Sequence, residues 1–82
     1  MNNDLKALMS LVKEGSEFFE KENKELNRLL IKISPDDVPD DFKQELKEVI
    51  DMMLLTGNVF AANKEHIDIL YSKLSDEVKN DH

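Results

Sequence analysis

Ser34-Pro35-Asp36-Asp37-Val38-Pro39-Asp40-Asp41 decides how this chain folds, because it places both of the chain's prolines between two long runs of helical periodicity. A proline disfavours helical geometry in the residue before it, so Ser34 and Val38 are pushed toward extended backbone. Ser34-Pro35 also suits a single short turn, with serine as cap and proline first inside. On the N-terminal side, Leu5, Leu8, Val12, Gly15, Phe19, Glu22, Leu26, Leu29 and Ile33 follow one another at steps of three and four. On the C-terminal side, Phe42, Leu46, Val49, Met53, Thr56, Phe60, Asn63, Ile67, Leu70 and Leu74 do the same. A mean step of about 3.5 puts each set on one side of a helix. The fold class predicted is all-α: an antiparallel helical hairpin or a small three-helix bundle, with dimerisation into a larger bundle as a further option.

The pattern fits one helical domain over 1–82. A first helix is expected over about 4–33, roughly 45 Å long at 1.5 Å per residue. Asn2 or Asn3 caps it, Asp4 sits favourably near its positive end, and Gly15-Ser16 is its weak spot. The connection covers 34–39, and a second helix follows over about 40–78 with carboxylates loading its first turn. A short connection makes the two helices antiparallel. Thr56-Gly57-Asn58 raises a question, since glycine after an apolar run commonly ends a helix. The apolar stripe nevertheless passes Gly57 in phase, from Met53 to Phe60, which favours a continuous, kinked helix. The alternative is a turn near Gly57 and three helices.

A chain of 82 residues buries only about 60–65% of the surface that its unfolded form exposes, so a partner or a second copy would add usefully to stability. It has no cysteine, which excludes disulfides and thiolate metal sites. No apolar run reaches the roughly 18 residues of a spanning helix, so no membrane insertion is expected. Met1-Asn2-Asn3-Asp4 carries no secretory signal, and a cytoplasmic location is the expectation. The net charge of −7 is uneven: residues 1–33 are balanced, whereas residues 34–82 hold five lysines against twelve carboxylates. Such a surface repels phosphates and argues against nucleic acid as a partner, while favouring basic partners.

The second helix carries more apolar surface than one seam needs. Met52, Leu55, Val59, Ala62, His66 and Ile69 also step by three and four, on a face turned away from the first. A helix apolar on two faces must be covered on two faces, by a third helix, a second copy or another protein. Leu11 and Phe18 widen the apolar face of the first helix in the same way. In an antiparallel hairpin these residues gather at the end away from the Pro/Asp connection. These eight residues are the candidate partner-binding set.

No residues suit chemistry. The pairs Asp36-Asp37 and Asp40-Asp41 lack the alternating ligands, turn glycine and closing glutamate of a calcium loop. His66 has no second histidine four residues away for zinc, and is expected to be packed or at an interface. No phosphate loop or dinucleotide fingerprint is present. The expectation is a binding protein with no catalytic, cofactor or metal site.

Taken over its full length, a small acidic chain opening Met-Asn-Asn-Asp-Leu-Lys-Ala-Leu-Met, the sequence resembles the RIII lysis-inhibition accessory proteins of T-even bacteriophages. The likeness is one of overall sequence, without a diagnostic motif, so no family site residues carry over. The resemblance implies a cytoplasmic antiholin, which binds the N-terminal cytoplasmic segment of the phage holin and delays host lysis. Two other classes compete with it: a structural helical homo-oligomer that consumes both stripes, and an acidic decoy that occupies a nucleic-acid-binding protein.

Overall fold

In the computed structural model, residues 3–14 and 20–80 are described. Their order is α1 (Asn3–Glu14), α2 (Glu20–Leu30), a 3-10 turn (Pro35–Asp37), α3 (Lys43–Thr56), a second 3-10 turn (Ala61–Asn63) and α4 (Lys64–Asn80). The chain is therefore an all-α bundle, as the periodicity predicts. Its helices are shorter and more numerous than expected.

The expected helix over 4–33 is replaced by two. Leu5, Leu8 and Val12 bury one side of α1, and Leu26, Leu29 and Leu30 do so for α2. The two helices pack against each other, which a straight rod cannot do because it would hold them end to end. Gly15 and Ser16, the anticipated weak spot, lie outside the described residues. Rods of roughly 45 and 58 Å would also exceed the molecule, whose longest extent is 34 Å.

The Pro/Asp connection forms as its chemistry dictates. Ser34 and Val38 are extended (φ −86°, ψ 140° and φ −84°, ψ 124°), flanking a single turn with Pro35 first inside it. The Asp37 N–H donates to Ser34 O at 3.0 Å, although the serine hydroxyl makes no capping bond. A further turn, closed by Phe42 N–H on Pro39 O at 3.0 Å, delays α3 to Lys43. Asp40 does not cap the helix; its carboxylate accepts from Lys43 Nζ at 2.7 Å.

The continuous second helix over about 40–78 is likewise corrected, in favour of the turn near Gly57. Gly57 is left-handed (φ 74°, ψ 19°), the conformation in which a Cβ is penalised. Its N–H donates to Leu54 O, and the Asn58 N–H reaches back to Met53 O at 2.9 Å. This pair of bonds is the Schellman stop of an α-helix. Residues 57–63 separate α3 from α4, and seven residues equal about two helical turns. The apolar phase thus survives a break that should have reset it.

α3 and α4 form an antiparallel hairpin. Lys43 at the start of α3 pairs with Glu77 late in α4 at 2.7 Å. Mid-helix, the Tyr71 hydroxyl donates to Asp51 Oδ1 at 3.2 Å. The core runs through all four helices, with Leu8, Leu26, Leu46, Ile50, Ile67 and Leu74 essentially inaccessible. The Cα radius of gyration, 11.7 Å, is that of a compact chain of this length, about 12 Å.

Candidate functional site

The hairpin register sets which apolar residues meet. Pairing Lys43 with Glu77 and Asp51 with Tyr71 brings Met52 level with Ile69, and Leu55 level with His66, at the end nearer the turn. Each helix buries a different side. Ile50 and Met53 point inward on α3, and Leu55 lies two residues on, roughly 200° round the helix. Ile69 stands in the same relation to buried Ile67 on α4.

The consequence is a group of exposed large apolar side chains: Leu55 at 81%, Ile69 at 57%, Met52 at 47% and Phe60 at 44% of their full accessibility. Single exposed apolar residues are ordinary, but several at one end of a small fold are not. Among the remaining candidates, Ala62 and His66 are exposed beside them, so His66 is not packed within the chain as expected. Val59 is half-buried and packs against the core, as does Leu11. Both are thus partly covered by the chain itself and leave only part of their surface free. Phe18 lies outside the described residues.

Phe60 is the residue that the sequence pattern misplaces. It sits in phase with the core stripe, yet it follows the helix stop and projects from the turn. Reading Gly57-Asn58 as a cap would have released it. Ile31, directly after α2, is a further exposed apolar residue at 38%.

The turn itself is bonded on several sides. The Asn58 side-chain amide donates to Thr56 Oγ1 at 2.8 Å, and the Thr56 hydroxyl donates to Met52 O at 2.9 Å. From α2, the fully buried Asn27 donates through Nδ2 to Asn58 O at 2.8 Å.

Charge is distributed differently from the apolar surface. Near the turn, Lys64 pairs with Asp68 at 2.7 Å, and Asp51 accepts from Tyr71. Four carboxylates, Asp36, Asp37, Asp40 and Asp41, cluster before α3, about 20 Å from the turn along a 14-residue helix. There Lys43, with its side chain only 11% exposed, lies between Asp40 and Glu77. Hydrogen bonds to these two carboxylates hold its ammonium above the usual lysine range. On α2, the Arg28 guanidinium bonded to Glu25 lowers that carboxyl's pKa.

Among the described residues, no three metal-ligating side chains converge and no helix is long and apolar enough to cross a membrane. Compared with known protein families, curated proteins and solved structures, the chain matches none.

Proposed function

We propose that this protein is a non-enzymatic, protein-binding inhibitor whose working surface is the exposed apolar group at the turn end of the α3–α4 hairpin. Leu55 carries the proposal: at 81% it is the most exposed large apolar side chain among the described residues. Met52, Phe60 and Ile69 extend that surface, and the natural occupant is an amphipathic segment laid across helices. The net charge of −7 favours a basic occupant over a second acidic copy.

The resemblance to the T-even lysis-inhibition accessory proteins supplies an identity for the occupant, the N-terminal cytoplasmic segment of a phage holin. On this proposal the protein acts in the host cytoplasm as an antiholin. It inhibits by occupancy, since a holin segment packed against Leu55 and Ile69 is withheld from the assembly that opens the membrane.

Burying each large apolar side chain yields about 1.5–3 kcal/mol. Four of them give on the order of 6–12 kcal/mol, against an association cost of roughly 4–15 kcal/mol. The two ranges overlap, so the apolar group alone reaches micromolar binding, about 8 kcal/mol, only at its favourable limit, and charge attraction to a basic occupant has to add to it.

The test is light scattering on a sizing column, with the chain alone and mixed with the holin's soluble N-terminal peptide. A joint peak of defined mass, lost in Leu55→Asp and Ile69→Asp while helicity persists, is the expected result. A stable oligomer that ignores the peptide, and that those substitutions dissociate, would instead establish the structural homo-oligomer.

A further inference from the structure

We infer that Asn27 is a positioning residue: its buried amide holds the turn between α3 and α4, and so sets how Met52, Leu55, Phe60 and Ile69 stand relative to one another. The consequence for binding rests on the inhibitor proposal above; the hold on the turn does not.

Asn27 is 0% exposed, between buried Leu26 and Leu30 on α2. Its Nδ2 donates twice, to Asn23 O at 2.9 Å in its own helix and to Asn58 O at 2.8 Å. Its Oδ1 is buried and finds no donor among the described residues. A leucine at this position would bury apolar surface and remove the orphaned Oδ1, at the loss of the bond to the Asn58 carbonyl. Packing therefore does not explain the asparagine. What it supplies is a bond that ties the Asn58 carbonyl, which belongs to neither helix ladder, to the buried face of α2.

That carbonyl is well placed to control the turn. The Asn58 N–H closes the helix stop on Met53 O, and its side chain engages Thr56, which in turn bonds Met52 O. Gly57, directly before it, has nothing within 4 Å of where a Cβ would stand. Side-chain packing at that position thus does nothing to fix the backbone. Without Asn27 the turn keeps the packing of Val59 and its bonds to α3, but loses this hydrogen bond to α2, and so gains freedom at Gly57.

The experiment is Asn27→Leu, followed by amide exchange and by titration with the holin N-terminal peptide. Exchange at Asn58 and Asn63 should quicken at least tenfold, while Ile50 and Leu70 keep their protection. Peptide affinity should fall at least fivefold with the thermal midpoint unchanged or higher. Unchanged exchange at Asn58 overturns the inference, and so does a loosened turn with affinity intact. If Asn27→Leu fails to fold through crowding, Asn27→Ala takes the same measurements. Collapse of both variants also overturns it, because Asn27 would then support the whole fold. The exchange readout needs no partner, so a wild-type chain that ignores the peptide sinks the inhibitor proposal and leaves exchange to decide the hold on the turn.

Discussion

Leu55 and Leu74 are the same side chain in opposite circumstances, 81% and 0% exposed, and they should behave accordingly. Leu74→Ala removes packed methyl groups from the core and is expected to cost about 2–5 kcal/mol. Leu55→Ala lies where surface substitutions stay within about 0.5 kcal/mol. In a domain of this size about 1 kcal/mol moves the melting midpoint by roughly 4–8 °C, so thermal melts of the two variants distinguish them directly. Lys43 provides a residue-scale test in pH. Asp40 and Glu77 raise its pKa in the folded chain. The folded state therefore keeps the proton after the unfolded state begins to lose it, near pH 10.4 for an ordinary lysine. Its stabilisation is complete below that pH and is lost as pH rises toward the folded value. Lys43→Met keeps the stem but not the charge. The stability gap between wild type and Lys43→Met should be widest below about pH 10 and shrink above it in denaturant titrations; a gap constant across that range would refute the assignment.

At the scale of elements, the helical class and the Pro/Asp connection were legible, and the number of helices was not. Ser34 and Val38 adopt extended backbone because the proline after each forbids helix locally, a rule needing no tertiary information. Gly57 obeys an equally local rule, yet the in-phase stripe from Met53 to Phe60 outweighed it. Periodicity measures spacing along the chain and cannot tell two turns of helix from a seven-residue connection of the same length. The first rod failed for a different reason: pairing α1 with α2 buries both stripes within one chain, a tertiary gain that spacing does not reveal. The candidate surface was half legible for the same cause. Leu55 and Ile69 follow from the second stripe, whereas the exposure of Phe60 depends on where the chain turns. Gly57→Ala tests the stop itself. Nothing near Gly57 obstructs a Cβ, so the cost is the left-handed conformation alone, about 1–2 kcal/mol. Gly57→Asn should cost less, since asparagine tolerates that region. Circular dichroism should show no gain of helix in either variant, because core burial on both sides of the turn holds the hairpin bent.

Over the whole molecule, the four carboxylates Asp36, Asp37, Asp40 and Asp41 stand at the end of the α3–α4 hairpin away from the exposed apolar residues, and on the inhibitor proposal this separation makes a kinetic prediction. Under that proposal, a basic segment approaching the chain feels the carboxylates of Asp36, Asp37 and Asp41 at long range, but once docked near Leu55 it would lie about 20 Å away along α3. At physiological salt the screening length is about 8 Å, so those charges contribute little to the bound state. Remote charges steer encounter, whereas buried contacts set residence time. Neutralising Asp36, Asp37 and Asp41 together, and sparing Asp40 because it pairs with Lys43, should slow association several-fold at low salt. At physiological salt, dissociation should stay as in the wild type. Leu55→Asp should do the reverse, leaving association nearly intact and accelerating dissociation at least tenfold. Surface plasmon resonance on the immobilised holin N-terminal peptide at two salt concentrations reads both rates. If the aspartate variant instead dissociates faster while Leu55→Asp binds normally, the acidic connection is the contact surface and the protein works as a charge decoy. The opposed outcome ties inhibition to the apolar end, with the acidic connection serving only to gather the partner.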